Sequence, residues 1–541
     1  MLLCGSICNA GNIKGKVTAD GKALEGVLVS DGTSIVKTNK AGKYLIDSEK
    51  KDSTVFVIVP SGYAPESNDG ITPGFWALLT KPASKNEKHN FKLRKEDQSS
   101  YTALFLTDLH LINEEEYGDL ERCRREVIPA YSQEAEKASE NGPVYFFNIG
   151  DFAMDKYFYE NDFNLFDAYN YLVESGWPKH LMYSVSGNHD NDGGVQTGDE
   201  EKGFGGNDSS CAWQYRRVFG PDRYSVNIGK DHWVFLDDVE YLNELPALKE
   251  EGIKGKRNYI KNITSEQLDW LEKDLEYVPD DYRVRIVMHV PAFYPTRNHA
   301  VNIDCKILDR LDSMCSRWEE VEIYSGHMHQ SGNCRSDLYP RFLQYCFVAT
   351  SGAIWKYAQD FPLMGLDGTE ASVISSRYEL DGSHDMKFTS YYHGEKYFRA
   401  YDMNSVMDAY KADKRVAKQQ KLYPKRIDYG SRTYHNCIYV NYWAWVPGDV
   451  VEMYENGKAL EVKASTDEDP LVNFGYYLPR FDGKDMPKYS DGHAKRHCCN
   501  MFTAKASKSG SDIVIMIKDK DGAVKHSETL KRPKEFTFNM E

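Results

Sequence analysis

Seven residues of this 541-residue chain stand at or just past the ends of five apolar runs, and all seven are of types that bind metal ions. TALFLTDLH ends at Asp108 and His110, PVYFFNIGD at Asp151, and HLMYSVSGNHD at Asn188, His189 and Asp190. VRIVMHVP carries His289, and VEIYSGHMH ends at His327 and His329. Leaving His189 and Asp190 aside, the set holds two carboxylates, one amide oxygen and four imidazoles, with no thiolate. Imidazole suits Zn, Fe, Mn, Co and Ni, and oxygen ligands also accept harder ions. The lack of thiolate argues against a closed structural zinc site. Seven ligands exceed one tetrahedral ion and suit two ions if a carboxylate bridges. Residues i and i+2 of an extended segment point the same way, so Asp108 and His110 can reach one ion, while His327 and His329 face one ion or straddle two. Gly150, Gly187 and Gly326 precede ligand positions, where a sharp turn and close backbone approach are needed.

The elements that must position these groups follow from the pattern around them. From Tyr101 onward, short apolar runs alternate with long helix-like segments, an α/β arrangement in which functional groups collect where strands finish. Ser265–Val278 reads as an amphipathic helix capped by Ser265, with Leu268, Leu271 and Leu275 as its stripe. The Gly- and Asp-rich stretch Asp190–Ser210 is too long for an ordinary connection and reads either as a lid over a site or as a surface insertion. Residues 13–95 alternate apolar and polar residues between DG turns, a small β-sandwich with Val27, Val29, Tyr44 and the run VFVIVP (Val55–Pro60) in its core. The catalytic part is expected over 98–400. β-Alternation returns over 401–541, with a start that could lie as early as residue 350, and DVVEMYENGKALEV and SDIVIMIKDKDGAVKHSETL read as hairpins.

Composition bounds the function. A net charge of −15 disfavours a sequence-independent grip on long nucleic acid. No apolar run is long enough to span a bilayer. The eleven cysteines form no zinc-ribbon pattern and are expected to be mostly buried free thiols. Residues 1–12 read as a tail or the remnant of an export signal, and export to the periplasm or cell surface is the expectation, with a cytoplasmic location as the alternative. A monomer is expected. The 37 tyrosines are assigned to sheet packing.

The motifs TDLH, GD, GNHD, the His of MHVP and GHMH, in that order and each after an expected strand, resemble the calcineurin-like metallophosphoesterase superfamily. The flanks resemble its bacterial, exported members with β-sandwiches before and after the catalytic domain; GKVTADGKALEGVLVSDG is similar to a transthyretin-like or carboxypeptidase-regulatory module. The resemblance implies a four-layer αββα sandwich flanked by N-terminal and C-terminal all-β sandwiches. It implies that Asp108, His110 and His329 bind one metal, that Asn188, His289 and His327 bind a second, and that Asp151 bridges them. It makes His189 the acid beside the leaving group. Phosphoprotein phosphatases of the superfamily carry the partner of that histidine three residues after the bridging Asp, where this chain has Met154 and then Asp155, so Asp190 is expected to position His189. The implied cofactors are two ions of Mn, Fe, Zn, Ni or Co, and the implied reaction is hydrolysis of a phosphate mono- or diester of a small molecule or glycan. His299 and Trp355 are the expected substrate contacts. The competing reading is a glycan- or protein-binding protein on an inert core; a single-metal peptidase is disfavoured by the lack of HExxH.

Overall fold

The computed structural model describes residues 12–193, 195–197, 200–202, 207–242, 258–295, 300–481 and 498–537, with side chains left undescribed for 194–206. Residues 1–11, residues 194, 198–199 and 203–206 of the 190–210 stretch, and His299, His493 and His497 therefore lie outside the described residues.

Two mixed six-stranded sheets form the centre. The first runs β3 (Met182–Ser184), β2 (Val144–Asn148), β1 (Ser100–Leu106), then β10 (Ser372–Glu379), β11 (His384–Ser390) and β12 (Gly394–Glu395). The second runs β4 (Tyr224–Ile228), β5 (Asp231–Phe235), β6 (Arg283–Val287), β7 (Val321–Ser325), β9 (Phe342–Cys346) and β8 (Gly332–Arg335). β1, β2 and β3 are parallel, as are β5, β6, β7 and β9. Five of these seven strands, β1, β2, β3, β6 and β7, are the apolar runs of the sequence, and the candidate ligands follow their C-terminal ends.

The period of two along each strand decides what packs where. Tyr101, Ala103 and Phe105 of β1 face the core between the sheets, while Leu104 and Leu106 face the helices. Between the sheets the rings meet directly: Phe105 and Tyr324 stack at 5.1 Å, and Phe147 and Trp233 at 4.5 Å. Each buried aromatic ring withdraws roughly 150–250 Å² from water, and this layer absorbs many of the tyrosines. On the far side of the first sheet, α1 (Ile128–Ser139) contributes Ile128, Tyr131 and Ala135, and α2 (Leu165–Glu174) contributes Leu165, Ala168 and Leu172. On the far side of the second sheet lies α3 (Ser265–Leu275), where Asp274 meets His232 of β5 at 2.9 Å. Its stripe Leu268, Leu271 and Leu275 is buried, as expected, but the cap is Thr264, whose hydroxyl accepts from Gln267 N, and Ser265 is the first helical residue.

Two strand-rich regions flank this centre. Residues 13–95 form two small sheets around Ile13, Val17, Val29, Tyr44, Val55 and Val57. The strand Thr54–Ile58 is buried throughout because it has two interiors: Val55 and Val57 face the small sandwich, while Phe56 and Ile58 join the central core. Phe56 packs edge-on to Trp270 of α3 at 6.0 Å, and Asn227 N donates to Val59 O at 2.9 Å. At the other end, Phe398–Asp402, Cys437–Tyr442, Met501–Lys505 and Lys463–Ser465 make one sheet. Val450–Glu455, Lys458–Ala459, Ile513–Lys518 and Val524–Leu530 make another, joined by the two expected hairpins. Tyr476 and Leu478 pack with Ala353, Met364 and Leu366, so the last third of the chain closes against the segment that follows β9. None of the nine cysteines among the described residues forms a disulfide, and six are buried.

Candidate metal centre

The seven expected ligands converge. Asp108, His110, Asp151 and His329 offer atoms within 4.8 Å of one another, and so do Asp151, His289 and His327. Asp151 belongs to both groups: its Oδ2 lies 3.8 Å from His110 Nε2 and 3.1 Å from His289 Nε2. Asp108 Oδ1 lies 3.0 Å from His329 Nε2 and 3.7 Å from His110 Nε2. Asn188 Oδ1 is 2.8 Å from His327 Nδ1.

Each carboxylate is anchored by one oxygen and presents the other. Asp108 Oδ2 accepts from Thr107 Oγ1 at 2.8 Å and from His327 N at 2.9 Å. Asp151 Oδ1 accepts from His189 N at 2.7 Å. His289 Nδ1 meets Ile149 O at 2.8 Å, which fixes the proton on Nδ1 and leaves Nε2 as a lone-pair donor. Asp108 Oδ1 and His289 Nε2, both facing other members of the set, are buried without a hydrogen-bond partner. Orphaned buried polar atoms are costly, and a cation placed among them satisfies the carboxylate oxygen and the imidazole lone pair. The donor set therefore fits a nitrogen- and oxygen-liganded transition metal.

The two carboxylates stay charged and draw a proton onto the nearest imidazole, in the place a cation would take. Burial pushes both carboxyls up, but His329 beside Asp108 and His289 beside Asp151 outweigh it and hold both below the usual range. Burial favours a neutral His289, yet the Asp151 carboxylate outweighs it and raises His289 to about 10. His327, pushed down by burial and by the charge of His289, falls to about 3.

The backbone achieves the convergence by a route that strand periodicity does not give. Asp108, His110, Asp151, His327 and His329 all have φ between 48° and 64°. Side chains i and i+2 converge here through left-handed turns after the strand, not through an extended segment. Such φ values cost energy for non-glycine residues and concentrate at functional sites. The preceding glycines are required: a Cβ at Gly326 would lie 1.9 Å from Thr107 Oγ1, and one at Gly150 would lie 2.7 Å from Gly187 N.

Asp190 does not take the place expected of it. Its carboxylate accepts from the backbone N–H groups of Asp151 and Phe152 at 2.8 Å and of Gly187 at 2.9 Å, tying two ligand turns together. The carboxylate at His189 is Asp155, with Oδ1 2.8 Å from Nδ1, and Asp155 N also donates to His189 O at 3.0 Å. Four residues of chain after Asp151 carry Asp155 around to face His189, a turn that spacing alone does not reveal. Trp355 is likewise not a pocket wall. It is fully buried beneath the site, where Nε1 donates to Leu109 O at 2.9 Å and His110 O at 3.0 Å.

A cavity of about 200 Å³ opens over Asp151, Asn188, His189, His327 and His329. Tyr259, Ala353, Ile354, Lys356, Leu366 and Tyr476 complete its lining, none of them singled out by sequence. Lys356 makes no ion pair among the described residues. Burial, then the nearby charge of Arg480, holds it below the usual lysine range. Arg480 donates to Lys356 O at 3.2 Å and stacks on the Tyr476 ring at 3.7 Å. Asp238 follows β5 and holds Val290 N at 2.9 Å, next to His289; an acidic residue just past a strand is the same signal that marks the ligands, and it could have been found.

Comparison with known proteins now identifies the class. The calcineurin-like phosphoesterase model matches residues 101–331, and the models for the N-terminal and C-terminal parts of calcineurin-like phosphoesterases match 11–96 and 344–524. The chain belongs to the calcineurin-like phosphoesterases that carry both accessory regions, and is a hydrolase acting on phosphoric esters. No curated protein matches it. Among solved structures, a dimetal phosphatase from Danio rerio is similar at 12% identity and a TM-score of 0.34, over 55% of this chain and 98% of that one. GAP50, the anchor in the inner membrane complex of Plasmodium, is similar at 10% identity and 0.30, over 55% and 86%. The 5'-nucleotidase from Candida albicans is similar at 11% and 0.29, over 54% and 52%. Among the described residues no helix is long and apolar enough to cross a membrane.

Proposed function

We propose that this chain is a dinuclear metallophosphoesterase that hydrolyses a phosphate mono- or diester of a small molecule or glycan. The reading is carried by Asp151, whose Oδ2 is shared between the two ligand groups. Asp108, His110 and His329 would hold one ion with Asp151, and Asn188, His289 and His327 the other. When bound, the two cations supply Lewis-acid stabilisation of the phosphoryl oxygens and acidify the attacking water. The remaining work falls to this chain's own residues. Asp155 holds the proton on His189 Nδ1, which leaves Nε2 to carry the proton that the departing oxygen takes. Lys356 supplies an unpaired cation to the ester's anionic side, and Ile354, Leu366 and Tyr476 shape the pocket and limit water.

The test is turnover of p-nitrophenyl phosphate and bis(p-nitrophenyl) phosphate by protein loaded in turn with Mn, Fe, Co, Ni or Zn, with metal content measured alongside. The expected result is two ions per chain and metal-dependent release of nitrophenol. A fully loaded protein that hydrolyses neither ester would favour the inert, binding-protein reading.

A further inference from the structure

The N-terminal sandwich carries a second feature unrelated to the metals. The exposed face of its six-stranded sheet, together with Lys37 at the end of a strand of the four-stranded sheet, forms an open cleft of about 990 Å³. Six lysines line it, Lys14, Lys16, Lys37, Lys43, Lys88 and Lys92, and no acidic residue does. The register makes this costly. Lys16 lies directly opposite Lys43, and Lys14 opposite Lys88. Like charges directly opposite on one face destabilise a sheet. Among the described residues only Lys92 has an ion-pair partner, Glu66 at 3.8 Å and exposed. Lys37 rests over the Tyr277 ring at 4.7 Å. Such a face on a chain with a net charge of −15 concentrates positive charge in one place against the trend of the whole surface.

We infer that this cleft binds an acidic polysaccharide, a glycan chain bearing carboxylate or sulfate groups at intervals. Side chains on one strand face recur about every 6.6 Å and strands lie about 4.8 Å apart, so the ammonium groups form a grid, not a point. A grid suits charges repeated along a polymer better than one small anion. Lysine is a compact point charge on a flexible stem and follows charge more than planar geometry, which suits a chain of variable pitch. Single-stranded nucleic acid is disfavoured because the aromatic residue here, Tyr44, is buried with its hydroxyl on His89 O, and offers no ring face for stacking bases. A bilayer is disfavoured because Leu45 is the one large exposed apolar side chain in the cleft. Asn90 Oδ1 accepts from Lys16 N at 3.0 Å, which fixes its amide at the cleft wall as a neutral contact for sugar hydroxyls.

The experiment is titration of the full-length protein with heparin and with polygalacturonate at low and high salt. Neutral dextran, a single-stranded and a duplex oligonucleotide, and phosphatidylglycerol vesicles serve as comparisons. Two doubly substituted forms, K16E/K43E and K16Q/K43Q, are measured with it, and their thermal unfolding and p-nitrophenyl phosphate turnover are checked. The expected result is salt-sensitive binding of at least one acidic polysaccharide and none of dextran. The charge-reversed form should bind at least about tenfold more weakly and the neutral form by a smaller factor, with unfolding and turnover unchanged in both. Absence of polysaccharide binding at low salt, binding that survives both substitutions, or tighter binding of oligonucleotide or vesicles would each overturn the inference.

Discussion

Asp151 concentrates the demands of the site in four atoms. One carboxylate oxygen is fixed by His189 N, and the other faces imidazoles of both ligand groups. Asp151→Asn keeps the shape and removes the charge, so elemental analysis should show loss of both metals; an unaltered metal content would exclude a bridging role. His189 and Asp155 separate in a different measurement. His189→Ala should retain metal yet lose about 10²–10⁴-fold in kcat on alkyl phosphates, and far less on nitrophenyl esters that need no acid. Asp155→Asn should reproduce that leaving-group dependence in weaker form, whereas Asp190→Asn should lower thermal stability and metal content without changing the ratio of the two ester types. Equal losses on both esters for His189→Ala would argue against proton donation. The ligands were legible because their residue types are chemically scarce at strand ends. The partner of His189 was not, because two carboxylates lay within reach along the sequence, and only the turn after Asp151 decides between them.

At the scale of elements, the parallel strands aim the ligands and the turns after them complete the geometry. Five ligands in left-handed backbone make those turns a strained feature that Gly150 and Gly326 permit. Gly326→Ala forces Thr107 and Asp108 aside, and should cost about 1–3 kcal/mol in denaturant unfolding and reduce bound metal. An unfolding midpoint and metal content equal to the parent would show that the turn has room to relax. Strand identity was readable from apolar runs and helix identity from the leucine stripe of α3. The uniform run VFVIVP was readable as a strand but not as one with two interiors, since alternation disappears when both faces are buried. Its second face is Phe56 against Trp270, and Phe56→Ala should destabilise the whole protein by about 3–5 kcal/mol, with one unfolding transition. Two transitions would mean that the small sandwich unfolds by itself.

Across the whole molecule, regions far apart in sequence share one pocket. Tyr476 and Lys356 line the cavity whose ligands begin at Asp108. Nothing local in the sequence signals such a contribution, because a tyrosine among thirty-seven carries no spacing to read. Lys356→Ala should raise KM for p-nitrophenyl phosphate by roughly 10–100-fold, the scale of a lost charge-assisted contact, with kcat changed less. A KM equal to the parent's would place the lysine outside the substrate's reach.

The position of Tyr476 also orders events in time. During synthesis the seven candidate ligands leave the ribosome over residues 108–329, but the tyrosine that walls their pocket, Tyr476, emerges well after the last of them. A nascent or prematurely ended polypeptide can thus gather its ligands while lacking a finished substrate pocket. The wall of the pocket is therefore supplied only after all of its ligands have been made.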